Sequence, residues 1–445
     1  MLDLELLLKQ TIPNHMLKRG LLVLRAKLRP IRVLLEQRRA PEHGWNDETI
    51  DFLLTVFSLM DTDKDPESAR IGEREARVAS PLVSKLAHGF CHGVGRSGNV
   101  TAPQTKAAGG SLMYFLANKL ALDMLQRMGA PNLNSACVVP VATGMAIGLA
   151  VSVARDIANK REIVYPRVDH RSPIKGMQLV GMKIKTVDGE VFGDAVRVPI
   201  ERISEAISKE TAAIVSTTTF FPPREPDDIK AIAKLADEEN IPHIINNAYG
   251  VQSREIMKLI RGAIDAGRVD TIIQSTDKNF LTPIGGSIIA SPSSDIVEKV
   301  SRAYAGRASA APITQFLAAI LSLGVRRYEE LRLEQERNRR LLEESLGELA
   351  KKHGERLLDV FNPIAAAMTL TNYDAKRVGR NMYTLRVTGP RVLEERDFGV
   401  CCQRYHSPYI TINAAIGSTD KDVLLATKKL EKALTQAQKQ LSCSK

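Results

Sequence analysis

Cysteine is scarce in these 445 residues, and the little there is does not pair in a recognisable way. The five cysteines, Cys91, Cys137, Cys401, Cys402 and Cys443, are odd in number, and no two are spaced CxxC. Neither a disulfide framework nor a zinc site is indicated, and a reducing cytoplasm is the natural compartment. The N-terminus lacks the layout of a secretory leader, because Lys9, Lys18, Arg19 and Arg25 interrupt its apolar residues. One uncharged run, 131–154, is long enough to span a bilayer. It contains Pro140, Gly144, Gly148 and several polar residues, so it reads as a buried strand–loop–helix, and no membrane partner is expected. Internal repeats, low-complexity tracts and a GK[ST] phosphate loop are missing too.

What is present describes an ordinary globular chain with 44% hydrophobic and 25% charged residues, long enough for two or three domains. Lys and Arg number 62 against 51 Asp and Glu, a net charge of +11 that suggests polyanionic partners or substrates. Residues 1–65 are helical in pattern and basic. Up to Trp45 there are nine Lys/Arg, Arg38 and Arg39 among them, against four acids. Asn46 followed by two acids reads as a helix N-cap.

From 66 to about 327, strand and helix signals alternate. Strands are expected at 136–141, 162–165, 182–187, 212–217, 243–246, 271–275 and 287–290. Helices are expected at 144–159, 199–208, 226–239 and 251–266. That alternation predicts an α/β domain with a mostly parallel sheet covered on both faces. A charged helix over 328–352 opens a smaller α+β part, 328–445, with strands at 366–370, 383–387 and 409–413 and a last helix at 420–441.

The chemistry centres on Lys278, in TIIQSTDKNFLTPIGGS (271–287). A β-branched run delivers this lysine to the end of an expected buried strand. Gly285 and Gly286 then turn the chain into a second apolar run. A lysine on so rigid a turn is well placed to form an imine with an aldehyde cofactor such as pyridoxal phosphate. On this segment alone, an ordinary loop lysine near a hairpin fits equally well. The run CVVPVATGM (137–145) ends a strand before a helical pattern, where free N–H groups and the helix dipole would face an anion, with Thr143 adding a hydroxyl. In HIINNAYG, Asn246 stands at a strand end where many pyridoxal-phosphate enzymes of this architecture carry an aspartate. The loop GVGRSGNVTAPQ offers Arg96, Ser97 and Gln104 to an anion, with glycines that permit close approach. Arg307, in GRASAAP, is a further candidate. Arg74, in GEREAR, could equally make a structural ion pair.

Read together, the strings GEREARVAS, HGVGRSGNV, VVPVATGM, YPRVDHRS, PHIINNAYGVQS, QSTDKNF with PIGG, and GRASAAP closely resemble the O-phosphoseryl-tRNA(Sec):selenocysteinyl-tRNA synthase family of archaea and eukaryotes. The resemblance runs from about residue 43 to 417. It implies a fold-type-I, pyridoxal-phosphate-dependent transferase that assembles as a homotetramer. Its substrates would be tRNA(Sec) charged with phosphoserine and selenophosphate. It implies that Lys278 carries the cofactor and that Ala142, Thr143, Gly144 and Met145 form the turn for its phosphate. Arg74 would approach that phosphate from a neighbouring subunit, and Asn246 would face the pyridine nitrogen. Arg96, Ser97, Gln104 and Arg307 would hold the substrate phosphate. His170 and Arg171 stand where eukaryotic members have Gln-Lys, His170 towards the cofactor and Arg171 towards the substrate. Arg38 and Arg39 match the region that meets the tRNA acceptor arm. The segment 391–408 is shorter than in eukaryotic members, leaving Arg396 and Arg404 as candidates for contact with the tRNA end. The competing readings are a small-molecule lyase or cysteine desulfurase, a phosphoseryl-tRNA to cysteinyl-tRNA synthase, and a basic tRNA-binding protein on a degenerate fold.

Overall fold

In the computed structural model, which describes residue 8 and residues 11–442, the β-branched runs pair into one seven-stranded sheet. Its strands are Ser135–Val139 (β1), Glu162–Pro166 (β2), Lys183–Val187 (β3), Thr211–Thr217, His243–Asn246, Thr271–Ser275 and Ser287–Ser291. A small hairpin of Glu190–Phe192 (β4) and Ala195–Arg197 (β5) follows β3, so the last four sheet strands are β6 to β9 in that order. The spatial order is β1-β9-β8-β7-β6-β2-β3. Only β9 runs antiparallel, to β8 on one side and β1 on the other. The central strands are buried along their whole length, as a sheet covered on both faces requires.

The covering helices follow from apolar spacing. Arg254–Ala266 buries Ile256, Met257, Ile260 and Ala263, and Ile229–Glu238 buries Ile229, Ile232, Ala233 and Ala236. Asp228 and Ser253 cap them, accepting from Ala231 N at 3.0 Å and Ile256 N at 3.3 Å. The 131–154 run forms β1, a turn and the helix Thr143–Ala158, and among the described residues no helix is long and apolar enough to cross a membrane.

The charged helix expected from 328 begins earlier, at Ala311, and continues to Lys352. It is broken at Gly324, which has φ 64° and ψ 174°. The chain at 41–45 is inserted at that break. Val325 N donates to Pro41 O at 2.9 Å, Arg326 N to Glu42 O at 3.0 Å and Trp45 N to Leu321 O at 2.8 Å. A Cβ on Gly324 would come within 2.6 Å of backbone atoms of His43 and Gly44, so only glycine fits there. The apolar run before Tyr328 lacks the charge pattern that marks the rest of the helix, which is why the sequence hides its first turns.

Beyond the helix, Ala365–Thr369 (β10), Arg391–Leu393 (β11) and Tyr409–Asn413 (β12) form an antiparallel sheet in the order β10-β12-β11. It packs under the helices Ala375–Thr384 and Asp420–Ser442 around a second apolar cluster containing Leu342, Leu346, Met368 and Leu434. The strand expected at 383–387 is not formed. Tyr383 belongs to the helix, which Asp374 caps through Arg377 N at 2.9 Å, and the next strand starts at Arg391 after Gly389-Pro390. Alternating Tyr383, Leu385 and Val387 imitate a strand, but they close a helix.

At the N-terminal side, Asn14–Gln37 and Asp47–Ser58 are helices, and Asn46 Oδ1 accepts from Thr49 N at 3.0 Å as its position suggests. Of the basic N-terminal reading, residues 1–7 and 9–10, Lys9 included, lie outside the described residues, as does Cys443.

Candidate active site

Parallel strands of one sheet end at one edge, and loops there collect side chains from distant parts of the sequence. Lys278 lies at this edge, immediately after β8. It stands in one short helix, Thr276–Phe280, where a bare turn was expected. Thr276 pins the helix to the glycine pair, donating through both N and Oγ1 to Gly286 O at 3.0 Å. Lys278 Nζ is 3.1 Å from Asp277 Oδ2 and 3.3 Å from Ser275 Oγ, and its side chain is half exposed. Ser275 in turn donates to the other oxygen of Asp277.

The turn after β7 is stitched to this helix. Asn279 Nδ2 donates to Ala248 O at 2.9 Å, Asn279 Oδ1 accepts from Val251 N at 3.0 Å, and Gln252 Nε2 donates to Lys278 O at 3.2 Å. Gln252 Oε1 also accepts from Ile416 N at 2.7 Å, joining the site to the C-terminal part. These bonds explain why DKNF and NNAYGVQS carry so many amides. Asn246, at the end of β7, is buried, and its Oδ1 has no partner among the described residues. Thr143 Oγ1, beside β1 at the start of Thr143–Ala158, is also buried and equally unpartnered. That helix has no side-chain cap on its first N–H groups, and Ala142, Gly144 and Met145 line an open cleft of about 520 Å³ beside it. An orphaned amide oxygen, an orphaned hydroxyl, an uncapped helix end and a reachable amine at one sheet edge fit pyridoxal phosphate: the amine for its aldehyde, the hydroxyl and helix end as donors for its phosphate.

His170 caps the helix Arg171–Leu179, its Nδ1 accepting from Ser172 N at 3.3 Å. Partial burial of the ring lowers its pKa, and the charges of Arg391 and Lys278 lower it further. Arg171 stands over the Phe398 ring at 5.9 Å. Arg391 lies 4.7 Å from the centre of Phe221 and 5.8 Å from that of Phe220. Its place in the site is not marked by any motif. The Gly-Pro turn before it is the only local cue, and its partners are more than 150 positions away in the sequence.

A second group forms around the 93–104 loop. Val94 pairs with Ala308 through two 3.0 Å backbone bonds, which sets Arg96 and Arg307 on adjoining segments. Asn99 Oδ1 holds the loop by accepting from Thr101 N, Ala102 N and Ser301 Oγ, leaving Arg96 and Ser97 exposed. Gln104 Nε2 reaches Gly95 O at 3.4 Å. Arg74 donates to Cys91 O at 3.1 Å, and its neighbour Glu75 pairs with Lys106 at 2.5 Å. That bond to Lys106 holds the Glu75 carboxyl below its usual range, helped by the charges of His92 and Arg307. Among the described residues no hydrogen bond or ion pair joins this group to the Lys278 group within one chain.

The remaining candidates sit apart. Arg38 ends its helix in a left-handed conformation, φ 56°, with its guanidinium 5.3 Å over Phe115, and Arg39 is exposed. Arg404 pairs with Glu395 at 2.7 Å, and Arg396 is exposed on the same loop. Cys91, Cys137, Cys401 and Cys402 are all buried. Burial pushes the Cys137 thiol up to about 11 and the Cys401 thiol up to about 12, which is the opposite of what a desulfurase nucleophile needs.

The sheet order, the lone antiparallel strand and the lysine between β8 and β9 define a fold-type-I pyridoxal-phosphate enzyme architecture. Solved structures with that fold include a sphingosine-1-phosphate lyase from Burkholderia pseudomallei (TM-score 0.58, 14% identity, 98% of this chain and 94% of that one) and a glutamate decarboxylase from Lactobacillus brevis (0.60, 11%, 89% and 93%). At a finer level, the family model for O-phosphoseryl-tRNA(Sec) selenium transferase matches residues 60–435. Relatives bearing that name are 47% identical in Methanopyrus kandleri, over 95% of this chain and 98% of the relative, and 34% identical in Dictyostelium discoideum, over 90% and 92%. The crystal structure of an archaeal O-phosphoseryl-tRNA(Sec) selenium transferase superposes with a TM-score of 0.92 at 44% identity, covering 95% of this chain and 98% of that one. The chain belongs to the O-phosphoseryl-tRNA(Sec) selenium transferase family.

Proposed function

We propose that this protein converts O-phosphoseryl-tRNA(Sec) and selenophosphate, with water, to selenocysteinyl-tRNA(Sec) and two phosphates. Family membership supplies the reaction. The observation that carries it to named residues is that Lys278 and the orphaned Asn246 Oδ1 stand at the ends of two neighbouring parallel strands. Pyridoxal phosphate, held at Lys278, would supply the electron sink that lets the Cα–H bond of the seryl group break.

The chain's own residues do the rest. Lys278, once its amine is free, takes the Cα proton, and Ser275 and Asp277 orient that amine. Asn246 would offer its neutral amide oxygen to a protonated pyridine nitrogen, a weaker partner than a carboxylate. Thr143 and the uncapped helix end, with Ala142, Gly144 and Met145, would hold the cofactor phosphate, and His170 would stand on the cofactor's side of the site. Arg96, Ser97, Gln104 and Arg307 bind the substrate phosphate, with Arg171 at its approach. They stabilise charge as the phosphate leaves Cβ, before selenium is delivered.

The loop group and Arg74 would reach the Lys278 group of a neighbouring subunit, which accounts for their separation within one chain. Exposed apolar residues support assembly as a homotetramer: Leu22 and Val23 on the first helix, and Ile71, Leu82 and Leu86 beyond it. Arg38, Arg39, Arg396 and Arg404 would meet tRNA phosphates in the cytoplasm, where such tRNA is charged. The test is turnover of phosphoseryl-tRNA and selenophosphate by the purified chain, with Lys278→Ala as control. Selenocysteinyl-tRNA from the wild type alone supports the reading, and no product from either defeats it.

A further inference from the structure

Asp169 is 3% exposed, directly precedes His170, and collects four donors on one carboxylate. Arg167 Nε reaches Oδ1 at 2.8 Å, and Arg167 Nη2 reaches Oδ2 at 3.1 Å. The other two donors come from the loop between β11 and β12: Gly399 N at 3.0 Å and Cys401 N at 2.9 Å, both on Oδ2. The backbone answers in the opposite sense, with Asp169 N donating to Cys401 Sγ at 3.2 Å. One buried side chain in the loop after β2 therefore fixes two residues of the small part, Gly399 and Cys401.

Gly399 is also where Arg391 rests. A Cβ there would come within 3.3 Å of Arg391 Nη2 and 2.4 Å of Leu393 Cδ2. The loop's Phe398 lies under Arg171. Asp169 thus stands between two arginines that otherwise share no element: Arg171, two residues on, and Arg391, held against Gly399. His170 meets Phe220 edge-on at 6.5 Å, Arg391 lies 5.8 Å from the same ring, and the charges of Arg391 and Lys278 both lower the His170 pKa, so this arrangement lies beside the lysine site.

We propose that Asp169 is a positioning residue that sets the spacing of Arg171 and Arg391 beside the Lys278 site, for an anionic group of the substrate. The proposal rests on the transferase reading above. A buried carboxylate serves this purpose because backbone N–H donors to an ionised acceptor make strong bonds, and its loss leaves those donors unpaired in the interior. Asp194 gives a contrast. It also docks the small part, through Arg356 at 2.7 Å and the Tyr405 hydroxyl on its carbonyl at 2.8 Å, but it touches neither arginine.

The experiment is steady-state kinetics of the holoenzyme with phosphoseryl-tRNA and selenophosphate. Asp169→Asn should raise KM for phosphoseryl-tRNA about tenfold with kcat changed by less than about threefold, because ground-state binding is what misaligned arginines lose. Asp194→Asn should keep KM within about twofold of wild type. Arg391→Ala should raise KM in the wild type and add little in Asp169→Asn, the non-additivity expected of coupled groups. If Asp169→Asn melts too low for assay, Gly399→Ala decides. It crowds Leu393 and Arg391 against the loop while keeping the carboxylate, and it should give the same KM rise. Unchanged KM in the assayable variant, the same KM rise in Asp194→Asn, or additive effects of Asp169→Asn and Arg391→Ala would each overturn the proposal. A wild-type chain that does not turn over phosphoseryl-tRNA overturns the transferase reading and this proposal with it. Wild-type turnover with an indifferent Asp169 removes this proposal alone.

Discussion

Lys278 Nζ and the Asp277 carboxylate lie 3.1 Å apart, and the far oxygen of that carboxylate is tied to Ser275. The amine is thus aimed by its own helix before any substrate arrives. Lys278→Ala should cut turnover about 10³-fold or more, since the Asp277 carboxylate left behind is no substitute for an amine that both holds the cofactor and moves the proton. It should also leave pyridoxal phosphate removable by gel filtration. Retained visible absorbance after filtration, with normal turnover, would place the cofactor elsewhere.

Asn246→Asp puts a carboxylate where the buried Oδ1 now lacks a partner. The stronger pyridine partner should increase side reactions of the cofactor, transamination of the seryl group among them, relative to selenium transfer. Product ratios by mass spectrometry read this directly. An unchanged ratio and unchanged turnover would mean that the amide is not tuning the site.

Arg38 and Arg39 offer a test of the tRNA surface that is independent of catalysis. Replacing both with alanine should weaken tRNA binding and lower the salt dependence of log K by roughly one for each phosphate no longer neutralised. Cofactor absorbance should not change. If absorbance falls as well, the cation over Phe115 is holding the fold, and the surface reading of Arg38 fails.

His243 predicts a pH dependence of stability. The ring is fully buried, with Ser216 Oγ at 2.7 Å from Nε2 and Arg268 O at 3.2 Å from Nδ1, and burial lowers its pKa to about 4. The unfolded chain therefore binds this proton first. Stability is complete above the unfolded value of about 6.5 and is lost as pH falls towards 4, by roughly 2 kcal/mol at pH 5. Thermal melts at pH 7 and pH 5 should show this loss in the wild type and a smaller one in His243→Gln.

Much of this site could be read from the chain because its parts are local. The strands 243–246, 271–275 and 409–413 form as expected because each is a short β-branched run with a sharp boundary. Lys278, Asn246 and Thr143 fall where the expected strand bounds put them, beside the ends of β8, β7 and β1. What was hidden depends on tertiary contacts. Thr276–Phe280 is helical because Asn279 and Thr276 find partners in the 248–251 turn and at Gly286, not because the residues favour helix. The 383–387 segment alternates like a strand, yet Asp374 starts a helix that consumes its first residues. Arg391 enters the site through aromatic rings that lie far from it in sequence, Phe220 and Phe221.

The break at Gly324 bears on how this protein can be divided. The carbonyls of Pro41 and Glu42 accept the N–H groups the break sets free, and Leu321 O takes the Trp45 N–H. The helix running on to Lys352 is therefore completed by a segment far upstream in the sequence. A fragment trimmed to remove the basic arm past residue 45 would expose the two halves of that helix to water at their joint. Any dissection of RNA binding from catalysis should then be made by side-chain replacement before residue 40, with the 41–45 segment left in place.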